Sequence, residues 1–167
     1  MDRSTCCTGA RRNFSPLPGF PYFDSEVNQE TPTISILLAE DFRPYRALVA
    51  SLLNQESSVQ VVGEASDGLE VVDKAQQLRP GLILMDIGLP KLNGLEAAKR
   101  ILNLNPSAKI VFLTQETDTD VVKEAFSLGA YGYIAKQEAE TKLLTALAAI
   151  LQGRRFVSGG VSGDGQD

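Results

Sequence analysis

Five short apolar runs, each followed by a stretch with helical spacing, constrain this chain more than any other feature. The runs are ISILLA (34–39), VQVVGEA (59–65), LILMD (82–86), KIVFLT (109–114) and YGYIAK (131–136). Each is short, rich in β-branched or aromatic residues and bounded by turn formers, which favours strand over buried helix. Their hydrophobicity is largely continuous, as in strands covered on both faces of a parallel sheet. The first helical segment runs from about Pro44, suited to a first helical turn, to Leu53. The second spans Leu69 to Leu78 and stops before Pro80; the third spans Leu95 to Leu104 and stops before Pro106. The fourth starts near Asp118, a capping side chain, and ends at Gly129; the last covers Ala139 to Leu151 and ends at Gly153. Five βα units in succession predict an α/β fold with a doubly wound five-stranded parallel sheet.

A chain of 167 residues has room for one domain with a real core. Residues 1–32 are rich in Ser, Pro, Gly and Thr without period and read as a disordered or loosely packed leader. The domain is expected over 33–153, with a flexible tail over 154–167. There is no histidine, which excludes His-ligated zinc, Ser-His-Asp triads, Cys-His pairs and an imidazole pH switch within this chain. The two cysteines, Cys6 and Cys7, are adjacent and make no spaced disulfide framework, so a cytoplasmic location is expected. No apolar stretch approaches the roughly 20 residues of a membrane span. The net charge of −5 and the lack of a basic cluster give no footprint for nucleic acid.

In open α/β sheets, ligands sit outside the carboxyl ends of the strands. The first strand delivers Glu40 and Asp41 there, the third Asp86, the fourth Thr114 and the fifth Lys136. The second delivers Gly63 and Glu64, which read as structure. Three carboxylates converging on one crevice repel one another. A hard cation with one or two direct carboxylates and several waters relieves that, which suits Mg²⁺. The plainer alternative is a set of solvated loop acids. Lys136 adds a fixed positive charge and Thr114 a hydroxyl, and together these groups describe a place where a phosphoryl group is received and held. The carboxylate of Asp86 is then a nucleophile that becomes an aspartyl phosphate.

Four stretches in this order, LLAEDF, LILMDIGLPKLNG, IVFLTQE and GAYGYIAK, resemble the receiver domain of bacterial two-component response regulators. The resemblance covers 33 to about 153, is of the chemotaxis-receiver type, and implies a flavodoxin-like strand order of 2-1-3-4-5. It implies a phosphoacceptor at Asp86, and Mg²⁺ held by Asp41, Asp86 and the backbone carbonyl of Gly88, with Glu40 acting directly or through water. Pro90 and Gly94 would shape the loop after the acceptor. Thr114, Lys136 and Tyr133 match the family's switch residues; for Tyr133 the alternative is a plain core or surface aromatic. Gln115 stands where many members carry a small residue, and Gly88, Gln115 and Glu116 occupy positions that tune dephosphorylation. The implied partners are a sensor histidine kinase as donor and, at a face made by the fourth helix, fifth strand and last helix, an undefined downstream protein or a second copy in a homodimer.

GLEAAKRIL and ILQGRRFVS look most like the subfamily that usually adds a helix-turn-helix domain. Residues 154–167 are too short for one, so the chain as given is not expected to bind DNA, whether it is a stand-alone receiver or a truncated regulator. Three other readings fit the sequence less well. A phosphohydrolase of the haloacid dehalogenase type wants a second carboxylate two residues after the nucleophile, where this chain has Gly88. A pseudo-receiver that binds partners without phosphorylation has only Gln115 in its favour. A dinucleotide-binding reading fails because AEDFRP, after the first strand, carries no glycine-rich loop.

Overall fold

The computed structural model describes residues 33–158. The expectations for the leader, including Cys6 and Cys7, and for 159–167 lie outside the described residues. The elements alternate from the start. They are β1 (Ile34–Ala39), α1 (Arg43–Asn54), β2 (Val59–Ala65), α2 (Gly68–Leu78), β3 (Leu82–Met85), α3 (Gly94–Leu104), β4 (Ile110–Thr114), α4 (Thr119–Leu128), β5 (Gly132–Ala135), α5 (Ala139–Leu151) and β6 (Phe156–Val157). A single turn of 3₁₀ helix, Lys136–Glu138, joins β5 to α5.

The strands form one parallel sheet in the order β2-β1-β3-β4-β5-β6. The five expected strands and their order are present. The sixth is an addition to the five-stranded expectation, in a stretch read from sequence as tail. It pairs with β5 through Gly132↔Phe156 and Tyr133↔Val157. Its last neighbour, Ser158, is buried, donates from its N–H to Tyr133 O at 2.9 Å and accepts from Ala135 N–H on Oγ at 2.9 Å. Two residues of strand are too few to show a period, so the pairing, not the local sequence, makes this element.

Side chains alternate across the sheet, and each face has its own core. Leu37, Ala39, Ile83, Met85, Ile110 and Phe112 pack under α2, α3 and α4 through Val71, Ala97, Ile101, Val122 and Ala125. Ile36, Leu38, Leu82, Leu84, Val111 and Leu113 pack under α1 and α5 through Val49, Leu53, Leu143, Leu147 and Ile150. Every residue of β3, β4 and β5 is buried, which explains their unbroken apolar sequences. Side-chain caps start the helices on the first face: Asp67 accepts from Glu70 N–H, Asn93 from Glu96 N–H and Asp118 from Asp120 N–H. Gly129 ends α4 at φ 110°, the left-handed cap expected of it. The chain reverses its winding between β1 and β3, so the crevice at their carboxyl ends is where side chains from both halves meet.

Candidate functional site

A cleft of about 720 Å³ opens at that crevice, lined by Glu40, Asp41, Asp86, Gly88, Thr114 and Lys136 among others. Of the expected acceptor, metal, switch and modulatory residues, all but Tyr133 line this hollow. Glu40, Asp86 and Thr114 are buried, whereas Asp41 is exposed at the mouth. Glu40, Asp41 and Asp86 each bring a carboxylate oxygen within 4.8 Å of the others.

Backbone bonds fix the two buried acids. Asp86 N–H donates to Ala39 O at 3.1 Å and Glu40 N–H to Ala65 O at 3.0 Å, extending the ladders one step past the strand ends. The loop after Asp86 then folds back. Gly88 N–H donates to Asp86 Oδ1 at 3.2 Å, and Gly94 N–H to Ile87 O at 2.7 Å. A Cβ on Gly94 would stand 2.3 Å from Asp86 O, so only glycine allows this return. At Gly88 a Cβ would make an ordinary 3.8 Å contact with Asp86 Oδ2, so the position tolerates variation. Pro90 O accepts from Gly68 N–H at 3.1 Å, and Lys91, at φ 68°, pairs with Asp67 at 3.1 Å. The loop after Asp86 is thereby tied to the start of α2.

Lys136 Nζ bridges the buried acids, 2.9 Å from Asp86 Oδ2 and 2.5 Å from Glu40 Oε2. Burial pulls its pKa down, but the bonds to Glu40 and Asp86 outweigh that and hold it above the usual lysine value. Burial dominates at Glu40 and raises its pKa above the carboxylate norm, although Lys136 and the Phe42 N–H, 3.0 Å from Oε1, pull the other way. Both Glu40 oxygens are thus engaged, while Asp41 faces water. That donor set fits Mg²⁺, with exposed Asp41 open to bind directly, Asp86 offering the lone pairs its carboxylate keeps beside Gly88 N–H and Lys136, and Glu40 placed to act through water.

Thr114 Oγ1 accepts from Glu116 N–H at 3.2 Å. Tyr133 is 1% exposed, its ring 6.4 Å from that of Phe112, and its hydroxyl donates to Glu116 O at 2.6 Å. Burial, with Glu116, Asp86 and Asp118 nearby, raises the phenol's pKa. The loop carrying Gln115 and Glu116 is therefore gripped by a β4 side chain and by a β5 side chain. Gln115 and Glu116 are exposed on the cleft rim.

Two residues escaped the sequence reading. Tyr45 places its ring 4.8 Å from Lys136 Nζ and donates its hydroxyl to Lys136 O at 3.2 Å. Arg46 donates to Glu40 O at 2.6 Å and to Glu64 Oε1 at 2.9 Å. The available signal was helix phase: Tyr45 heads the stripe Tyr45, Val49, Leu53 that α1 turns toward the sheet.

The model of the response regulator receiver domain family matches residues 36–148. The chain belongs to that family. It is similar to the uncharacterized transcriptional regulatory protein YxjL of Bacillus subtilis, at 36% identity over 72% of this chain and 55% of YxjL. It is similar to protein CcdB of the same organism, at 35% identity over 70% of this chain and 96% of CcdB. The chain thus spans about half the length of YxjL and nearly all of CcdB. Among solved structures, a LuxR-family two-component response regulator from Aurantimonas aligns with a TM-score of 0.75 and 31% identity, over 78% of this chain and 93% of that one. Membership makes this a receiver domain of two-component signalling, a class whose state depends on phosphorylation. No helix among the described residues is long and apolar enough to cross a membrane.

Proposed function

We propose that this receiver is a phosphorylation switch that takes a phosphoryl group from a histidine kinase on Asp86 in a Mg²⁺-dependent reaction. The observation that carries the reading is the convergence of Glu40, Asp41 and Asp86 within 4.8 Å, with Lys136 bridging two of them. A carboxylate oxygen of Asp86 attacks phosphorus in line with the donor's leaving group. The O–P bond forms as the bond to the donor nitrogen, or to acetate oxygen in a small donor, breaks, and the electron pair leaves with that group. Bound Mg²⁺ supplies neutralisation of the charge on the transferring oxygens.

Lys136 is already ionised beside Asp86, so its charge is in place to draw in one phosphoryl oxygen. Gly88 N–H orients the carboxylate through Oδ1. Thr114 gives up its bond from Glu116 N–H and turns its hydroxyl toward another phosphoryl oxygen. That turn moves the loop that Tyr133 holds at Glu116 O, which carries the change to β5 and the α4–β5–α5 face. Output passes from there to a protein partner or a second copy. A histidine-kinase donor places the reaction in the cytoplasm.

The test is phosphorylation by acetyl phosphate or phosphoramidate, read by intact mass and a phosphate-retarding gel, beside Asp86→Asn. One phosphate gained, sensitive to EDTA and absent in the variant, is expected. No gain from either donor, with Mg²⁺ still bound, would overturn the reading in favour of a phosphorylation-independent interaction module.

A further inference from the structure

The ammonium of Lys136 is enclosed on more than its acidic side. Two contacts are ionic, to Glu40 and Asp86. A third is the face of Tyr45, whose ring centroid lies 4.8 Å from Nζ. A cation over an aromatic face is attracted by the ring quadrupole, the more so where water is excluded. The far end of the same ring is tied down, because Tyr45 Oη donates to the backbone carbonyl of Lys136 at 3.2 Å. The residue that covers the lysine's tip is therefore fastened to the lysine's own backbone, across 91 positions of sequence. Burial and the nearby Glu40 and Asp86 push the Tyr45 phenol up to about 12, so its proton stays in place for this bond.

We propose that Tyr45 is a positioning residue for phosphoryl transfer, holding the Lys136 ammonium at Asp86 through its ring face and its bond to the Lys136 carbonyl; this rests on the phosphoacceptor reading of Asp86. A lysine stem has four rotatable carbons, and its freedom must be lost before the ammonium can meet a transferring oxygen. With Tyr45 in place, that freedom is removed before the donor arrives. The ring also keeps the ammonium at the cleft when the phosphoryl group draws it off a carboxylate oxygen. Its contribution falls on the rate of transfer. It does not fall on Mg²⁺ affinity, which depends on Asp41 and Asp86.

Rates of phosphorylation by acetyl phosphate are measured for the full chain at saturating Mg²⁺, with Mg²⁺ affinity taken from the dependence of rate on the ion. The set is wild type, Tyr45→Phe and Tyr45→Leu, with Asp86→Asn as the blank. Tyr45→Leu is expected to fall about three- to tenfold in rate with Mg²⁺ affinity unchanged. Tyr45→Phe keeps the ring face and is expected to lie between it and wild type. Equal rates for all three, or Tyr45→Phe as slow as Tyr45→Leu, would overturn the role of the ring. A fall in Mg²⁺ affinity that accounts for the slower rate would overturn it too, as a structural effect on the metal pocket. Should Tyr45→Leu not fold, Tyr45→Met fills the same volume without a ring and takes its place. A wild type that gains no phosphate sinks the phosphoacceptor reading itself, a result distinct from a phosphorylating wild type with indifferent Tyr45 variants.

Discussion

The two ends of the sheet carry two hollows of opposite character. At the carboxyl ends, the cleft of about 720 Å³ contains buried Glu40, Asp86 and Thr114. At the amino ends, between α2 and α3, a groove of about 300 Å³ is lined by Val72, Ala75, Ile83, Ile101 and Leu104, with Gln76, Arg79 and Asn105 on its polar rim. Strands arrive at both ends, yet only one collects ionisable groups that are costly to bury. The groove buries no carboxylate, whereas the cleft holds Glu40 and Asp86 out of water. The carboxyl-end cleft is also the larger hollow, and the buried Glu40 and Asp86 carboxylates are what set it apart.

Substitutions should separate these roles. The largest effect is expected from Ile101→Ala, which empties a buried position of α3 beside the groove. It should cost about 3 kcal/mol of stability in urea unfolding and leave the phosphorylation rate of the folded protein unchanged. A rate that falls with it would mean that the two ends are coupled through α3. Gly68→Ala is the converse case. A Cβ there would stand 1.8 Å from Leu92 O, so α2 and the acceptor loop must move apart. It should cost about 2 kcal/mol and slow phosphorylation, because the same loop carries Gly88 and Pro90. A destabilised protein with an undisturbed rate would show that the tie between Gly68 N–H and Pro90 O does not set the loop's geometry.

The two ends also differ in how much of them can be read from sequence. β1 and β2 coincide with the runs ISILLA and VQVVGEA, β3 and β4 are one residue shorter than theirs and β5 two, and in β3 to β5 burial on both faces forces an unbroken apolar string. Glu40, Asp41, Asp86, Thr114 and Lys136 could be gathered because a parallel sheet sends every strand's carboxyl end to the same side. Side chains that enter from a helix were not legible. Tyr45 meets Lys136 only through the phase of α1, and Arg46 links Glu64, read from sequence as plain structure, to Glu40 O. β6 was hidden for a different reason. Its partner face on β5 is opened by Gly132, where a Cβ would come within 2.8 Å of Ile150 and 3.5 Å of Phe156 O, and nothing in RRFVS announces that.

A smaller effect tests the cost of the buried charge at the carboxyl end. In the folded state Glu40 has a raised pKa, so its unfolded form gives up a proton more readily. Stability is then fully present below the unfolded value of about 4.5 and lost as pH rises through the folded value. Glu40→Gln keeps the shape and an acceptor for Phe42 N–H without the charge. It should be more stable than wild type at pH 7, by about 1 kcal/mol or less because the lost pair with Lys136 offsets most of the relieved burial cost, while Asp86 still pairs the lysine. The advantage should vanish below about pH 4.5 and narrow when Mg²⁺ stabilises the wild type. A variant less stable than wild type at pH 7 would mean that the Lys136 bridge outweighs desolvation.

The smallest effect reverses that sign with the same residue type. Glu70, in the first turn of α2, is a surface glutamate whose carboxyl is held down at about 2, chiefly by Lys74 and then by the Ser66 N–H. The pair to Lys74 measures 2.8 Å, and Ser66 N–H reaches Oε1 at 2.8 Å. A lowered folded pKa contributes stability above the unfolded value of about 4.5, and that stability is lost as pH falls through about 2. Glu70→Gln should therefore be less stable than wild type at pH 7, by about 0.5 kcal/mol because the site is exposed, and equal to it below about pH 2. Thermal melts of wild type, Glu40→Gln and Glu70→Gln from pH 7 down to about pH 2 should converge from opposite sides of the wild-type curve. Two glutamates that shifted stability in the same direction would remove the contrast, since it would show that net charge, and not burial against a paired lysine, governs both.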